Sequence, residues 1–331
     1  MQAWILEKPG PVTSEGPLQL QEVDEPSLGE GEILVEVSVC GLCRTDLHIA
    51  REEIPLPHLP IVPGHQIVGR VVEGGKRFTV GDRVGIAWLH ETCGACGDCF
   101  RGDENLCRHA RFTGYHVNGG YAERVKVPEA FAYTLPESLS DEQVAPLLCA
   151  GIIGYRALKQ ADVEEGETVG LYGFGSSAHI ALQVARAMGC RVYVMTRGEK
   201  HADLARTMGA AWVGGADEEP PEKLDRAVLF APAGELVPKA LEATRWGGTV
   251  ASAAIHMSPI PSLDYDAQLF GERTLRSTTA STRQDGDELL QLASEGLIQT
   301  EVTPFAFDAA NEGLRQVADD GIQGSAVLRI R

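Results

Sequence analysis

Between residues 166 and 254, short apolar runs alternate with runs of helical spacing, and no other feature constrains the fold as strongly. Thr168–Tyr172 reads as a strand, after which Ile180, Val184 and Met188 recur at the helical period. A second strand at Arg191–Met195 is followed by a helix over 202–208. Strands at 226–230 and 249–254 enclose a further helix around 235–244. Such alternation demands a parallel sheet covered by helices, an α/β architecture. At the first strand–helix turn stands Gly173-Phe174-Gly175-Ser176-Ser177-Ala178, a G-x-G-x-x-A pattern. In that context, backbone N–H groups and the helix N-terminus can cradle the pyrophosphate of a dinucleotide.

The end of the second strand bears on which dinucleotide. A carboxylate there would bind the adenosine ribose 2′-OH of NAD. The chain instead has Thr196 and Arg197, with Lys200 close by. Arg197 can pair with a 2′-phosphate, which favours NADP(H) over NAD(H); stacking on adenine is its other use.

Residues 1–150 have a different texture, rich in Gly, Pro and Val, with strand-like runs at 32–39 and 67–72 between turn signals. A helix is expected from Ser140, where Ser140 and Gln143 form a capping box, with Val144, Leu147 and Leu148 as its apolar face and Cys149 at its end. The β-rich texture resumes near Leu275, with a helix over 285–295 and a closing strand at 325–330. The segment 218–222 reads as an exposed acidic loop. The 331 residues suffice for two domains. A net charge of −18 argues against a nucleic-acid partner. The first nine residues lack a signal-peptide pattern and no apolar run is long enough to span a membrane, so a cytoplasmic location is expected. There thiols stay reduced, and eight cysteines read better as metal ligands than as disulfides.

Cys93, Cys96, Cys99 and Cys107 are spaced x2, x2, x7, with Gly94 and Gly97 giving the backbone room to bend. Four thiolates complete a tetrahedral Zn²⁺ shell and leave no open position, which marks a structural ion. An iron–sulfur cluster or free thiols would use the same residues, and a nucleic-acid-binding zinc ribbon is disfavoured by Asp98, Asp103 and Glu104.

Gly41-Leu42-Cys43-Arg44-Thr45-Asp46-Leu47-His48, Pro63-Gly64-His65, the four-cysteine loop, Gly119-Gly120-Tyr121-Ala122-Glu123 and Leu148-Cys149-Ala150-Gly151 follow one another along the chain. In this order they resemble the zinc-dependent alcohol dehydrogenases of the medium-chain dehydrogenase/reductase superfamily, in the shorter microbial branch with propanol-preferring members. The resemblance implies a GroES-like catalytic domain, residues 1–150 with 276–331, and a Rossmann domain, 151–275. It assigns Cys43, His65 and Cys149 to a catalytic zinc with a fourth position open to substrate, so two Zn²⁺ per chain. Zinc held this way acts as a Lewis acid on an alcohol oxygen. Asp46 would orient His65, Thr45 accept the alcohol proton and His48 pass it to solvent, a task suited to an imidazole. Arg44 is expected against the cofactor pyrophosphate. The family usually carries Glu after the ligand histidine; here Gln66 keeps the hydrogen-bonding capacity without the charge. Cys40, which makes a C-x-x-C with Cys43, is left as a packed thiol.

Trp88 and Ile54 are expected to line the substrate cleft, which suits small to medium primary alcohols or their aldehydes. Alternatives are a polyol or secondary-alcohol dehydrogenase, or a non-catalytic zinc- and nucleotide-binding protein. A homodimer or homotetramer is expected from the relatives.

Overall fold

All five residues of Thr168–Tyr172 are buried, the mark of a strand covered on both faces. In the computed structural model, which describes residues 1–331, this strand lies inside a six-stranded parallel sheet. From one edge the order is Trp212–Gly214, Arg191–Met195, Thr168–Tyr172, Leu224–Leu229, Thr244–Ser252 and Thr274–Ser277. Numbered along the chain that is 3-2-1-4-5-6, the doubly wound order with its switch point beside the first strand. The glycine fingerprint follows that strand. Gly173 has φ +89°, and a Cβ there would stand 3.0 Å from the Ala231 backbone nitrogen, so only glycine fits the turn.

The chain divides into two units: 1–149 with 280–296 and 300–331, and 150–279 with 297–299. In the second unit the helix Ser176–Ala187 buries Ala178, Ile180, Ala181, Leu182, Val184 and Ala185. The helix Ala150–Gln160 packs against it closely, since a Cβ on Gly154 would lie 2.9 Å from the Ser177 carbonyl oxygen.

The first unit is built on a seven-stranded, mostly antiparallel sheet. Its longest strand, Glu32–Leu42, pairs with Ile67–Gly74, Arg124–Pro128 and the closing Ser325–Arg329. Alternate residues Ile33, Val35 and Val37 enter a core shared with Ile67, Val71, Val84 and Ile86.

Several elements differ from expectation. The helix after Ser140 keeps its capping box but has only four α-helical residues, Asp141–Val144, before tightening to a 3₁₀ turn, Ala145–Leu148. Pro146 explains this, because it has no N–H for an α-helical bond. The helix expected over 285–295 is Arg283–Ser294, capped by Thr282 with Asp285 as the reciprocal partner. The last long strand of the parallel sheet starts at Thr244, five residues early. Gly94 is left-handed (φ +64°), but Gly97 opens a short helix, Gly97–Arg101, in a conformation open to any residue. The acidic loop is more tied down than expected: Pro220 is buried, and Glu222 accepts from Thr168 Oγ1 (3.1 Å) and Tyr193 Oη (3.0 Å).

Candidate metal centres and active site

Strand register brings the first two of the scattered candidate ligands together. Cys40 pairs with Ile67 in adjoining antiparallel strands, so Cys43, just past the end of one, and His65, just before the start of the other, emerge at the same end of the sheet. Cys149 ends the 3₁₀ turn that Pro146 imposes and arrives at the same place. His65 Nε2 lies 3.4 Å from Cys43 Sγ and 3.3 Å from Cys149 Sγ, and the three donor atoms fall within 4.8 Å of one another. A tetrahedral ion with ~2.3 Å bonds to sulfur and ~2.0 Å to nitrogen spaces such donors by about 3.5 Å.

Behind His65, Asp46 Oδ1 faces Nδ1 at 3.3 Å, both side chains fully buried. Asp46 is itself fixed at the start of the helix Arg44–Ala50, where its Oδ2 accepts from the Cys43 N–H (2.9 Å) while Cys43 Sγ accepts from the Thr45 N–H (3.3 Å). The Cys43 thiol thus serves as the helix cap. Burial would lower the His65 pKa, but Asp46 and Cys43 outweigh it and hold the ring up at about 10. The Cys43 thiol is pushed well above its usual range by hydrogen bonding to Cys149 and by burial. Two thiols and one imidazole with their donor atoms this close fit a zinc ion.

The four-cysteine loop is a second such cluster. Cys96 and Cys99 are 3.5 Å apart, Cys93 and Cys107 3.5 Å, Cys93 and Cys99 4.0 Å. These are far beyond a disulfide, and close to the ~3.8 Å edge of a tetrahedron with 2.3 Å bonds. The thiols run from exposed Cys93 to buried Cys107. Between Cys99 and Cys107, Glu104 is buried and takes hydrogen bonds from the Arg283 backbone (2.7 Å) and guanidinium (2.7 Å).

Other expected residues are placed as follows. Thr45 and His48 are half-buried on the helix that begins at Arg44, and His48 Nδ1 meets Glu53 Oε2 at 2.5 Å. Arg44 is exposed and pairs with Asp320 at 3.3 Å. Gln66 is buried over Gly41, where a Cβ would lie 2.8 Å from its amide nitrogen. Trp88 stands edge-on to His65, ring centroids 4.9 Å apart, and Ile54 packs against the same core. Cys40 is a buried free thiol. In the second unit the helix after Gly175 carries no side-chain cap, and a Cβ on Gly175 would meet nothing within 4 Å. Thr196 is half-buried, whereas Arg197 and Lys200 are exposed. Sequence reasoning missed Glu53, Tyr115 and Phe112. Glu53 follows the left-handed Glu52 (φ +55°) that ends the helix, and its N–H donates to the His48 carbonyl (2.9 Å), so the turn and not helical spacing brings it to His48; the two aromatics stand in a loop with no periodic signal.

Residues 29–137 match the alcohol dehydrogenase GroES-like domain, and residues 178–295 match the zinc-binding dehydrogenase domain. A probable alcohol dehydrogenase of Mycobacterium tuberculosis is 46% identical, covering 100% of this chain and 97% of that protein. An alcohol dehydrogenase of Geobacillus stearothermophilus is 37% identical over 95% of this chain and 96% of its own. The solved alcohol dehydrogenase of the hyperthermophilic archaeon Aeropyrum pernix superposes with a TM-score of 0.87 at 26% identity, covering 99% of this chain and 100% of that one. These matches place the chain among the zinc-binding dehydrogenases. More narrowly, it belongs to the alcohol dehydrogenase family of the medium-chain dehydrogenase/reductase superfamily.

Proposed function

We propose that the chain transfers hydride reversibly between a small to medium primary alcohol, or its aldehyde, and a nicotinamide dinucleotide, with two zinc ions of unequal role. The observation that carries this reading is the convergence of Cys43, His65 and Cys149, with the Asp46 carboxylate directly behind the imidazole. Zinc held there supplies a Lewis acid that makes an alcohol hydroxyl acidic and an aldehyde carbon electrophilic. Asp46 fixes the His65 tautomer so that Nε2 faces the two sulfurs. Thr45 takes the proton of the alcohol hydroxyl, and His48, steadied through Nδ1 by Glu53, hands it to solvent.

The first unit is then the catalytic domain and the second the cofactor domain. The uncapped helix start and the open space over Gly175, with Ser176, Ser177 and Ala178, receive the cofactor diphosphate; Arg44 is assigned to the same group. Arg197, exposed just past the strand Arg191–Met195 with Thr196 and Lys200 beside it, favours NADP(H) over NAD(H). Trp88 beside His65 favours unbranched primary alcohols over polyols and secondary alcohols. A homodimer or homotetramer is the proposed assembly.

Metal analysis with an alcohol panel assayed on NAD⁺ and NADP⁺ tests this. Two zinc ions, NADP⁺-linked oxidation of short primary alcohols, and a variant Arg197→Asp that loses NADP⁺ far more than NAD⁺ are the expected results. A zinc-loaded protein inert towards every alcohol would refute the dehydrogenase and leave a nucleotide-binding protein. Wild type preferring NAD⁺ tenfold, about 1.4 kcal/mol, would refute the cofactor assignment alone.

A further inference from the structure

An aromatic wall extends outward from the ligand His65. Trp88 stands edge-on to the imidazole, Phe112 stacks on Trp88 at 5.0 Å with the planes 12° apart, and Tyr115 follows with its centroid 5.7 Å from Trp88. This wall is strapped to the metal site by backbone. Thr113 N–H donates to the Trp88 carbonyl (2.9 Å), Gly119 N–H to Val62 (2.7 Å) and Gly120 N–H to Gly64 (2.9 Å). At the crossing a Cβ on Gly114 would lie 2.9 Å from the Gly64 backbone, so the aromatic loop and the Pro63-Gly64-His65 loop touch main chain to main chain. The distance from His65 to Tyr115 is thereby set.

The segment that Tyr115 reaches is differently made. Residues 54–58 form no helix or strand and read Ile-Pro-Leu-Pro-His, a stretch whose two prolines have no N–H to donate. Two ties connect it to the aromatic loop: the Tyr115 hydroxyl donates to the Pro55 carbonyl, and His58 Nε2 lies 3.3 Å from the His116 carbonyl oxygen. Burial raises the Tyr115 pKa, so the phenol stays a donor across the working pH range. Ile54 and Leu56, either side of Pro55, are half-buried against the same core as Trp88 and Phe112.

We infer that Tyr115, by clasping the Pro55 carbonyl, fixes the width of an apolar slot between Trp88 and Ile54 and so selects short, unbranched alcohols. Tyr115 is a specificity-determining residue in this reading, which rests on the proposed alcohol dehydrogenase activity. A rigid aromatic wall alone would not discriminate by size, because the facing loop could swing aside. The clasp closes that escape, and each extra methylene then meets a wall that does not yield.

The test compares wild type, Tyr115→Phe, His58→Ala and Ile54→Ala as zinc-loaded proteins on ethanol, 1-propanol, 1-hexanol and 2-propanol, with melting temperature as a check on folding. Tyr115→Phe keeps the ring and removes only the donor. It should raise the kcat/KM ratio of 1-hexanol to ethanol about tenfold, the scale of one pocket contact, with the change in KM for 1-hexanol rather than in kcat. His58→Ala should move the ratio the same way by less, and stands in if Tyr115→Phe folds poorly. Ile54→Ala, which widens the slot directly, should move it at least as far. A ratio unchanged in the folded clasp variants while Ile54→Ala shifts it would overturn the clasp and leave the slot. Activity falling equally on every alcohol would mean a structural role only, and also overturns it. No shift in any variant overturns the slot itself. Wild type that oxidises none of the alcohols refutes the dehydrogenase, and the inference with it, an outcome distinct from all the others.

Discussion

The two candidate metal clusters would solve the same coordination problem in opposite ways. The four-cysteine loop takes its donors from 15 consecutive residues, partly exposed, and four thiols would leave an ion no free position. The other cluster draws three donors from residues 43, 65 and 149, with His65 fully buried, and supplies one ligand too few for a closed shell. A local loop can hold its ion through its own turn geometry. A dispersed site exists only once the sheet has formed, because strand register and a proline-tightened turn deliver its ligands. The first arrangement suits an ion that stabilises, the second an ion that must meet substrate while the surrounding fold keeps it in place.

That contrast breaks most readily at the dispersed site. His65→Ala should abolish alcohol oxidation and reduce zinc from two ions to one, with most of the melting temperature kept. A variant that kept its activity would remove His65 from the chemistry. Cys99→Ser should also leave one zinc, but with the opposite signature: a fall of roughly 10 °C in melting temperature and preserved turnover at temperatures where the protein is folded. If turnover vanished in folded Cys99→Ser, the division between stabilising and reacting ions would be false.

Asp46→Asn sharpens the comparison, since it keeps the shape behind His65 and removes the charge. Zinc affinity or activity should fall about 10–100-fold, read by chelator competition and kcat/KM. The smallest effect is expected from Glu104→Gln, which loosens the tie between the cysteine loop and the helix starting at Arg283. Arg283 is 40% exposed and water takes up part of the loss, so the cost should be about 1 kcal/mol, a melting shift of a few degrees. In a Cys99→Ser background the same change should cost less, because the loop that positions Glu104 is already released. Simple additivity in that double-mutant cycle would mean the ion pair and the zinc loop act independently.

What was legible in the sequence follows from the range of the interactions involved. The strand–helix alternation, the glycine turn at Gly173 and the tight cysteine spacing are local, and each physical constraint acts over a few residues, so periodicity and spacing displayed them directly. The capping box at Ser140 was legible for the same reason, whereas the switch to a 3₁₀ turn depended on one proline inside an apolar run. Cys43, His65 and Cys149 could be named in advance only through the motifs around them, since no spacing joins residues 43, 65 and 149.

The composition of each site, which donors are present and that one set is complete and the other open, belongs to the sequence alone. Tertiary structure decided their partners: that Cys43 caps the helix bearing Asp46, that Glu53 meets His48, that Glu104 reaches Arg283, and that Tyr115 closes on Pro55. Apart from the helix cap and the His48–Glu53 pair, which are local, these contacts join separate segments, and Glu104 and Arg283 stand 179 positions apart. The chain closes such distances only when burial of the core compensates the lost conformational entropy, so no local pattern of residues could encode them.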